Sequence, residues 1–305
     1  MEENRLLVLS GPTASGKTAL SLSLSRILPL EIVNADSLQV YRGMDIGTAK
    51  PDARDRLEIP HHLIDVADPD EEFNAGRFVD EAESAILGIR KRGRFPLVTG
   101  GTGMYIRALL RGLDPLPSDP GIRAVLARQW RDEGGAALHA ELKAIDPPSA
   151  VAIHPSDRVR VLRALEIAGI TGAQPSKLKR RWTNDGGKFR ILFIALSTDR
   201  EKLYGRIDAR VDEMFRRGFV EEVRGLLDAG FGPELKPMNA LGYRHVISHL
   251  SGALSLPLAI AGLKRDTRRY AKRQLTWLSG EPEAVWIDAG KAAETVSSLA
   301  KKFLL

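Results

Sequence analysis

Cysteine is absent from the 305 residues, which excludes disulfides and thiolate metal sites and fits a reducing cytosol. Aromatic residues are sparse, at 6%, so the core is expected to be aliphatic. No stretch approaches the roughly 18 apolar residues that a membrane span needs. The opening MEENRLLVLSGP sets two acids ahead of a short apolar run, unlike an export signal. A soluble, cytoplasmic protein with no membrane partner is the expectation. Internal repeats and low-complexity tracts are also missing. What remains is ordinary globular composition, 43% hydrophobic and 28% charged with a mean hydropathy of −0.17, enough for one large or two modest domains.

The formal net charge of +6 is by itself weak support for a polyanionic partner, but its distribution says more. Seven bases and a single acid, Glu166, lie between Arg158 and Arg181, and six bases with only Asp266 lie between Lys264 and Arg273. The rest of the chain is net acidic.

The first half alternates short β-rich runs with helical patterns, which argues for βαβ units around a parallel sheet. Strands are predicted at Leu6–Leu9, Glu31–Ala35, His62–Val66 and Pro96–Thr99. Helices are predicted from near Gly16 to before Pro29 and over Ala75–Arg92. After the turn-forming DPLPSDPG, the stretch Ile122 to Gly172 reads as helices broken at Gly134-Gly135 and Pro147-Pro148. A strand returns at Phe189–Leu196, and the last falls within residues 284–290. The predicted fold class is α/β, a P-loop NTPase-like core with a parallel sheet flanked by helices over 1–112 and 189–305. An all-helical insertion domain occupies 113–188.

Gly11, Pro12, Thr13, Ala14, Ser15, Gly16, Lys17 and Thr18 match G-x-x-x-x-G-K-[ST] at every fixed position, between a candidate strand and a candidate helix. Glycines let the backbone curl so that successive N–H groups and the helix N-terminus point at one anion. Lys17 adds a point charge on the phosphates, and Thr18 is a candidate Mg²⁺ ligand. The loop implies a di- or triphosphate without naming the reaction. Phosphoryl-transfer enzymes of this type usually carry an acid after a late hydrophobic strand, yet FPLV runs into Thr99-Gly100-Gly101-Thr102-Gly103. The acid instead follows the second strand, as Asp36. That strand is expected beside the P-loop strand, where open α/β sheets place ligands.

GPTASGKT, NADSLQVYRGMDIGTAKP (34–51) and GGTGMYIRALLRGL (100–113) together resemble the tRNA dimethylallyltransferases. HPSDRVRVLRALEI (154–167), LGYRHV (241–246) and RRYAKRQLTWL (268–278) extend the resemblance over most of the chain. It lacks a Cys/His finger and so looks like the shorter, bacterial form, with a monomer expected. The resemblance implies transfer of a dimethylallyl group from its diphosphate to an adenosine of the tRNA anticodon stem-loop, next to the anticodon. Mg²⁺ is the implied cofactor. An exocyclic adenine amine is a poor nucleophile, and a carboxylate beside it can orient it and take its proton. The resemblance gives that role to Asp36, with Ser37, Leu38 and Gln39 lining the tRNA path and Thr102 contacting adenosine or prenyl diphosphate. A plainer role for Asp36 is to cap the following turn, and for Thr102 to cap a helix.

Arg206 and Arg210 lie i,i+4 on one helical face, where one can support the other. Arg210 matches the position expected to contact the diphosphate, and surface pairing with Asp208, Asp212 or Glu213 is the alternative. The resemblance assigns tRNA contact to Val159, Arg160, Val161, Leu162 and Arg163. It does the same for Asn239, Ala240, Leu241, Gly242, Tyr243 and Arg244, for Arg268, Arg269, Lys272 and Arg273, and for Arg123. Arginine forks suit phosphate oxygens and stack on unpaired bases, although a basic helix face is often merely solvated. Tyr243 and Trp277 are candidate stacking platforms or, more simply, packing residues. The histidines show no trustworthy metal spacing. Three rival functions remain at this level: an adenylate isopentenyltransferase acting on free nucleotide, a P-loop small-molecule kinase, and a non-catalytic RNA-binding P-loop protein.

Overall fold

A computed structural model describes residues 4–114, 116–178 and 188–305. Lys179, Arg180 and Arg181 of the first basic stretch lie outside the described residues. The chain divides into two compact units, one of Met1–Leu110 with Gly187–Leu305 and one of Arg111–Gly186. Each boundary falls two residues earlier than the sequence suggested.

In the larger unit the described strands are β1 (Arg5–Ser10), β2 (Leu30–Asn34), β3 (His61–His62), β4 (Phe95–Gly100), β5 (Arg190–Ser197) and β6 (Ala284–Asp288). All run parallel, in the order β3-β2-β4-β1-β5-β6. The first helices of this unit are α1 (Lys17–Ile27), α2 (Ala53–Glu58), α3 (Ala75–Lys91) and α4 (Gly103–Arg111). The smaller unit holds α5 (Pro120–Glu133), α6 (Gly135–Ile145), α7 (Pro147–Ala152), α8 (Arg158–Thr171) and α9 (Pro175–Leu178). The larger unit resumes with α10 (Arg200–Arg216), α11 (Phe219–Asp228), α12 (Tyr243–Leu250), α13 (Leu256–Leu278) and α14 (Ala292–Leu304). No described helix is long and apolar enough to cross a membrane.

Both faces of the sheet are covered, so its strands are apolar on both sides, as parallel sheets require. Along β1 the side chains alternate: Leu6 and Val8 join one core with Phe78, Tyr105, Phe219 and Tyr243, while Leu7 and Leu9 join another with Leu24, Ile194 and Val296. Cutting a fully buried leucine such as Leu7 to alanine would cost about 2–5 kcal/mol. On α3, Phe78, Ala82, Ile86 and Ile89 form the buried stripe, and the Asn74 side chain caps the start by accepting from the N–H groups of Gly76 and Arg77.

Two expectations need correction. The third strand is only His61–His62, not His62–Val66. Leu63 and Asp65 take positive φ angles of 62° and 57°, which turn the chain out of the sheet, and the Asp65 carboxylate is held by Lys50 and Arg56. Nor does β2 lie beside β1, because β4 is inserted between them and pairs with both. Close approach there depends on Gly100, where a Cβ would sit 2.2 Å from the Ala35 carbonyl oxygen. The ends of β1, β4 and β2 therefore stand side by side, each followed by one of the sequence motifs.

The smaller unit has its own core, built from Leu126, Leu138, Leu142, Ile153, Val161, Leu162 and Leu165. Gly134, at φ 84°, separates α5 from α6. The buried Asp146 carboxylate caps α7 and also accepts from Ser176 on α9.

Candidate active site

Between β1 and α1 the backbone curls through Ala14 and Gly16, at φ 62° and 94°. Lys17 folds back over this loop and donates to the carbonyls of Gly11 (2.9 Å) and Pro12 (2.8 Å). Burial, together with the neighbouring Arg210 charge, lowers its pKa to about 7, against a smaller opposing effect of Asp36. A half-buried cation held only by carbonyls is one whose charged form an incoming anion would stabilise.

Arg210, on α10, donates from Nη1 to Thr13 Oγ1 at 3.3 Å. Burial lowers its pKa and the Asp36 charge partly offsets that. Among the described residues it has no ion pair. Surface pairing is instead made by other bases: Asp208 with Arg268, Asp212 with Lys264 and Glu213 with Arg216. Arg206 is exposed and lines neither cavity described below, so the i,i+4 partnership is not formed.

Two cavities meet at Asp36. The smaller, of about 90 Å³, is lined by Thr13, Lys17, Thr18, Asn34, Asp36 and Arg210 among others. The larger, of about 630 Å³, is walled by Tyr105, Val211, Met214, Leu241 and Leu263, with Ser37 and Thr102 near Asp36. Thr13, Asp36, Thr48, Arg210 and Tyr270 border both.

Asp36 uses one carboxylate oxygen in each of its two expected roles. Oδ1 caps the turn, accepting from Leu38 N (2.9 Å) and Gln39 N (3.4 Å), while no described residue bonds to Oδ2. The capping bonds fix the carboxylate so that a second oxygen stays available. Thr102 stands just before α4, but its hydroxyl does not cap that helix. It accepts from Ser37 N at 3.0 Å and donates towards Ser37 Oγ at 3.3 Å. Its own N–H donates to the Ala35 carbonyl at 3.2 Å, joining the β4 turn to the β2 turn. Tyr270 carries a phenol pushed up by burial and by the Asp36 charge, so it remains a neutral donor at any ordinary pH.

The 44–51 segment is clamped over this site by residues of other elements. Glu222 on α11 accepts from the backbone N–H groups of Asp45, Ile46 and Gly47 and from the Tyr243 hydroxyl. Gln39 Nε2 donates to the carbonyls of Thr48 and Ala49, and the buried Lys50 ammonium reaches Tyr41 O, Asp45 and Asp65. Sequence reasoning missed Glu222, which looks like one of two solvent-facing acids at a helix start. Tyr270 and Gln274 fall inside the 268–275 segment that the resemblance gives to tRNA contact, but sequence reasoning assigned neither a role of its own.

The expected tRNA-contact residues divide by placement. Asp36, Ser37, Leu38, Thr102, Asn239, Ala240, Leu241, Arg244 and Arg273 line the larger cavity. Tyr243 is wholly buried, and Trp277 is packed under Arg107 and against Gly103, so both serve packing rather than base stacking. Arg268 pairs with Asp208, and Arg269 and Arg244 with Asp266, while Lys272 and Arg273 are exposed. In the smaller unit Val161 and Leu162 belong to the core, which leaves their side chains unable to meet RNA. Val159 and Arg160 are exposed there, and Arg123 and Arg163 both pair with the buried Glu166.

Among the described residues no three His, Asp or Glu side chains gather as a metal cage. The oxygen donors lining the smaller cavity include the Thr18 hydroxyl and the Asp36 carboxylate. That suits Mg²⁺, which keeps several waters and takes further oxygens from a bound phosphate.

The IPP transferase family model matches residues 39–281. The chain is 48% identical to the tRNA dimethylallyltransferase of Syntrophobacter fumaroxidans, covering 97% of this chain and 87% of that one. It is also 48% identical to tRNA dimethylallyltransferase 1 of Pelobacter propionicus, covering 96% and 95%. The full-length tRNA isopentenylpyrophosphate transferase of Bacillus halodurans superposes with a TM-score of 0.74 at 38% identity, covering 99% of this chain and 97% of that one. A eukaryotic dimethylallyltransferase acting on tRNA superposes with a TM-score of 0.81 at 30% identity, covering 98% and 78%. A P-loop, a carboxylate at the junction of two cavities and this likeness along nearly the whole chain agree, and the chain belongs to the IPP transferase family.

Proposed function

We propose that this protein is a tRNA dimethylallyltransferase in which Asp36 serves as general base and the P-loop side holds the diphosphate of the donor. The single observation that carries this reading is the position of Asp36, with one oxygen fixed by the turn and the other unpartnered where a cation-lined cavity meets a large, mostly apolar one. Dimethylallyl diphosphate has the same two halves. Its charged end suits Lys17, Arg210 and the loop N–H groups, while its five carbons suit the Val211 side of the junction.

The exocyclic nitrogen of the target adenosine enters through the larger cavity beside Thr102 and Ser37. That nitrogen attacks C1 of the dimethylallyl group as the C1–O bond breaks. Diphosphate leaves with the bonding electrons, and the amine proton passes to Asp36. Charge growing on the leaving oxygen is met by Lys17, Arg210 and backbone N–H groups already in place. Mg²⁺ held at the Thr18 hydroxyl and the diphosphate would supply further positive charge there. Such an adenosine must first leave its stack, and the basic residues at the cavity rim, Arg244 and Arg273, suit the flanking phosphates.

Incubation with Mg²⁺, unmodified tRNA and radiolabelled dimethylallyl diphosphate, without ATP, should place label in precipitated RNA. Label on added AMP or ATP with none in RNA would instead favour the free-nucleotide enzyme. With neither labelled by folded protein, the loop would more simply serve ATP, as in a kinase.

A further inference from the structure

The side chain of Gln274 on α13 is buried between two loops of the site. Its Oε1 accepts from the Thr13 N–H of the phosphate loop at 2.8 Å, and its Nε2 donates to the Gly101 carbonyl after β4 at 3.0 Å. No other described side chain hydrogen-bonds to both loops. Gly101 is followed directly by Thr102, which is tied to Ser37 and Ala35 beside Asp36. Thr13 is in turn the residue that receives Arg210. One amide thus joins the loop expected to hold the leaving group to the turn expected to hold the nucleophile.

The fit around it is close. A Cβ on Gly101 would lie 2.2 Å from Gln274 Nε2, and a Cβ on Gly103 would lie 2.1 Å from the Trp277 ring one turn further along α13. Two glycines of the GGTG turn are therefore the notches in which α13 seats. A hydrophobic residue of equal length would fill the same space but hold neither loop, and two separately mobile loops cannot keep attacking nitrogen and leaving oxygen in line. Misplacement by about 1 Å can cost a hundredfold in rate.

We propose that Gln274 is a positioning residue for prenyl transfer: it sets the distance between the phosphate loop and the Thr102 turn, and acts on alignment rather than on affinity for either substrate. This rests on the function proposed above. Two full-length variants test it with tRNA, Mg²⁺ and dimethylallyl diphosphate. Gln274→Met removes both bonds at similar volume. Gln274→Glu keeps the acceptor for Thr13 N–H but sets an oxygen against the Gly101 carbonyl, and only the protonated acid can donate there again.

Gln274→Met should bind tRNA and donor within about threefold of wild type, yet transfer at least tenfold more slowly in a single turnover. Gln274→Glu should regain transfer, relative to wild type, as pH falls from 8 to 5.5, while the Gln274→Met ratio stays flat. A merely structural amide would lower melting temperature and both affinities together without that pH recovery, and such a result overturns the proposal. So does single-turnover transfer by Gln274→Met within twofold of wild type. Where Gln274→Met fails to fold, the pH recovery of Gln274→Glu decides: its presence supports the proposal and its absence overturns it. A wild-type protein that places no prenyl group in tRNA removes both this inference and the function on which it rests.

Discussion

The two cavities that share Asp36 differ in size and in the character of their walls. The smaller, of about 90 Å³, is narrow and polar: Lys17, Arg210 and Asp36 line it together with residues of β2, β4 and α13. The larger is side-chain volume contributed by α4, α10, α12 and α13 and the loops before them. Helix α10 serves both, turning Arg210 towards Thr13 while Ile207, Val211 and Met214 face the larger space. One contiguous stretch brings Thr13, Lys17 and Thr18 to the smaller cavity, but Arg210, Tyr270 and Gln274 reach it from far along the chain. The larger cavity is assembled from parts distant in sequence.

The largest expected effect is at the junction itself. Asp36→Asn keeps an oxygen to accept from Leu38 N but removes the base, and turnover should fall by roughly 10²–10⁴-fold. Affinity for tRNA should change little. Near-normal single-turnover rates would take Asp36 out of the mechanism and leave it as the cap of its turn.

Next comes the charged side alone. Lys17→Met should lower transfer by roughly 10²–10³-fold, the scale of losing one preorganised donor, with tRNA affinity nearly unchanged. It also carries a pH signature. Burial first, and then the Arg210 charge, hold the Lys17 pKa at about 7 in the free protein, whereas bound diphosphate would raise it. Binding therefore takes up a proton above about pH 7, and donor affinity should weaken by up to about tenfold per pH unit as pH rises from there. Calorimetric titration of the donor should show this slope in wild type and lose it in Lys17→Met. A flat wild-type profile would mean that Lys17 is already charged throughout.

A smaller change should appear on the apolar side. Val211→Ala enlarges the larger cavity near Arg210 and should raise KM for the donor by about tenfold, the worth of one or two methyl groups in such a pocket. Unaltered KM would move the prenyl chain to another wall. The smallest effect belongs to the rim. Arg273→Ala should weaken tRNA binding by a few fold and reduce its log–log salt slope by about 1. An unchanged slope would place the phosphates elsewhere.

Much of this was legible in the residues. The strand before Gly11, the helix from Lys17 and the capped helix from Ala75 follow from local patterns, as does the break at Gly134. Asp36 could be singled out because an acid follows the second strand and none follows FPLV, and because the resemblance gives it the role of base. Other features were not legible for a physical reason. Glu222 is fixed by three N–H groups far away in sequence, and one of two adjacent acids at a helix start has no pattern to reveal that. Gln274 sits in a run whose bases draw the eye, but its two bonds reach residues 13 and 101. Arg206 and Arg210 are equivalent by periodicity, and only packing leaves one exposed and half-buries the other. The basic clusters also proved less free than their net charge implied. Glu166 draws in Arg123 and Arg163, and Asp266 draws in Arg244, Arg265 and Arg269, so each lone acid orders the cations around it.

By itself the sequence determined the loop between the first strand and the first helix, the alternation of strands and helices and the family, because each depends on residues close together or on motifs of fixed spacing. Tertiary structure alone decided that β4 would lie between β1 and β2 and that Asp36 would keep one oxygen free. It also decided that Arg210, rather than Arg206, would reach the phosphate loop. Those outcomes depend on which surfaces pack, and packing is settled by the sum of many weak contacts among residues that no local pattern connects.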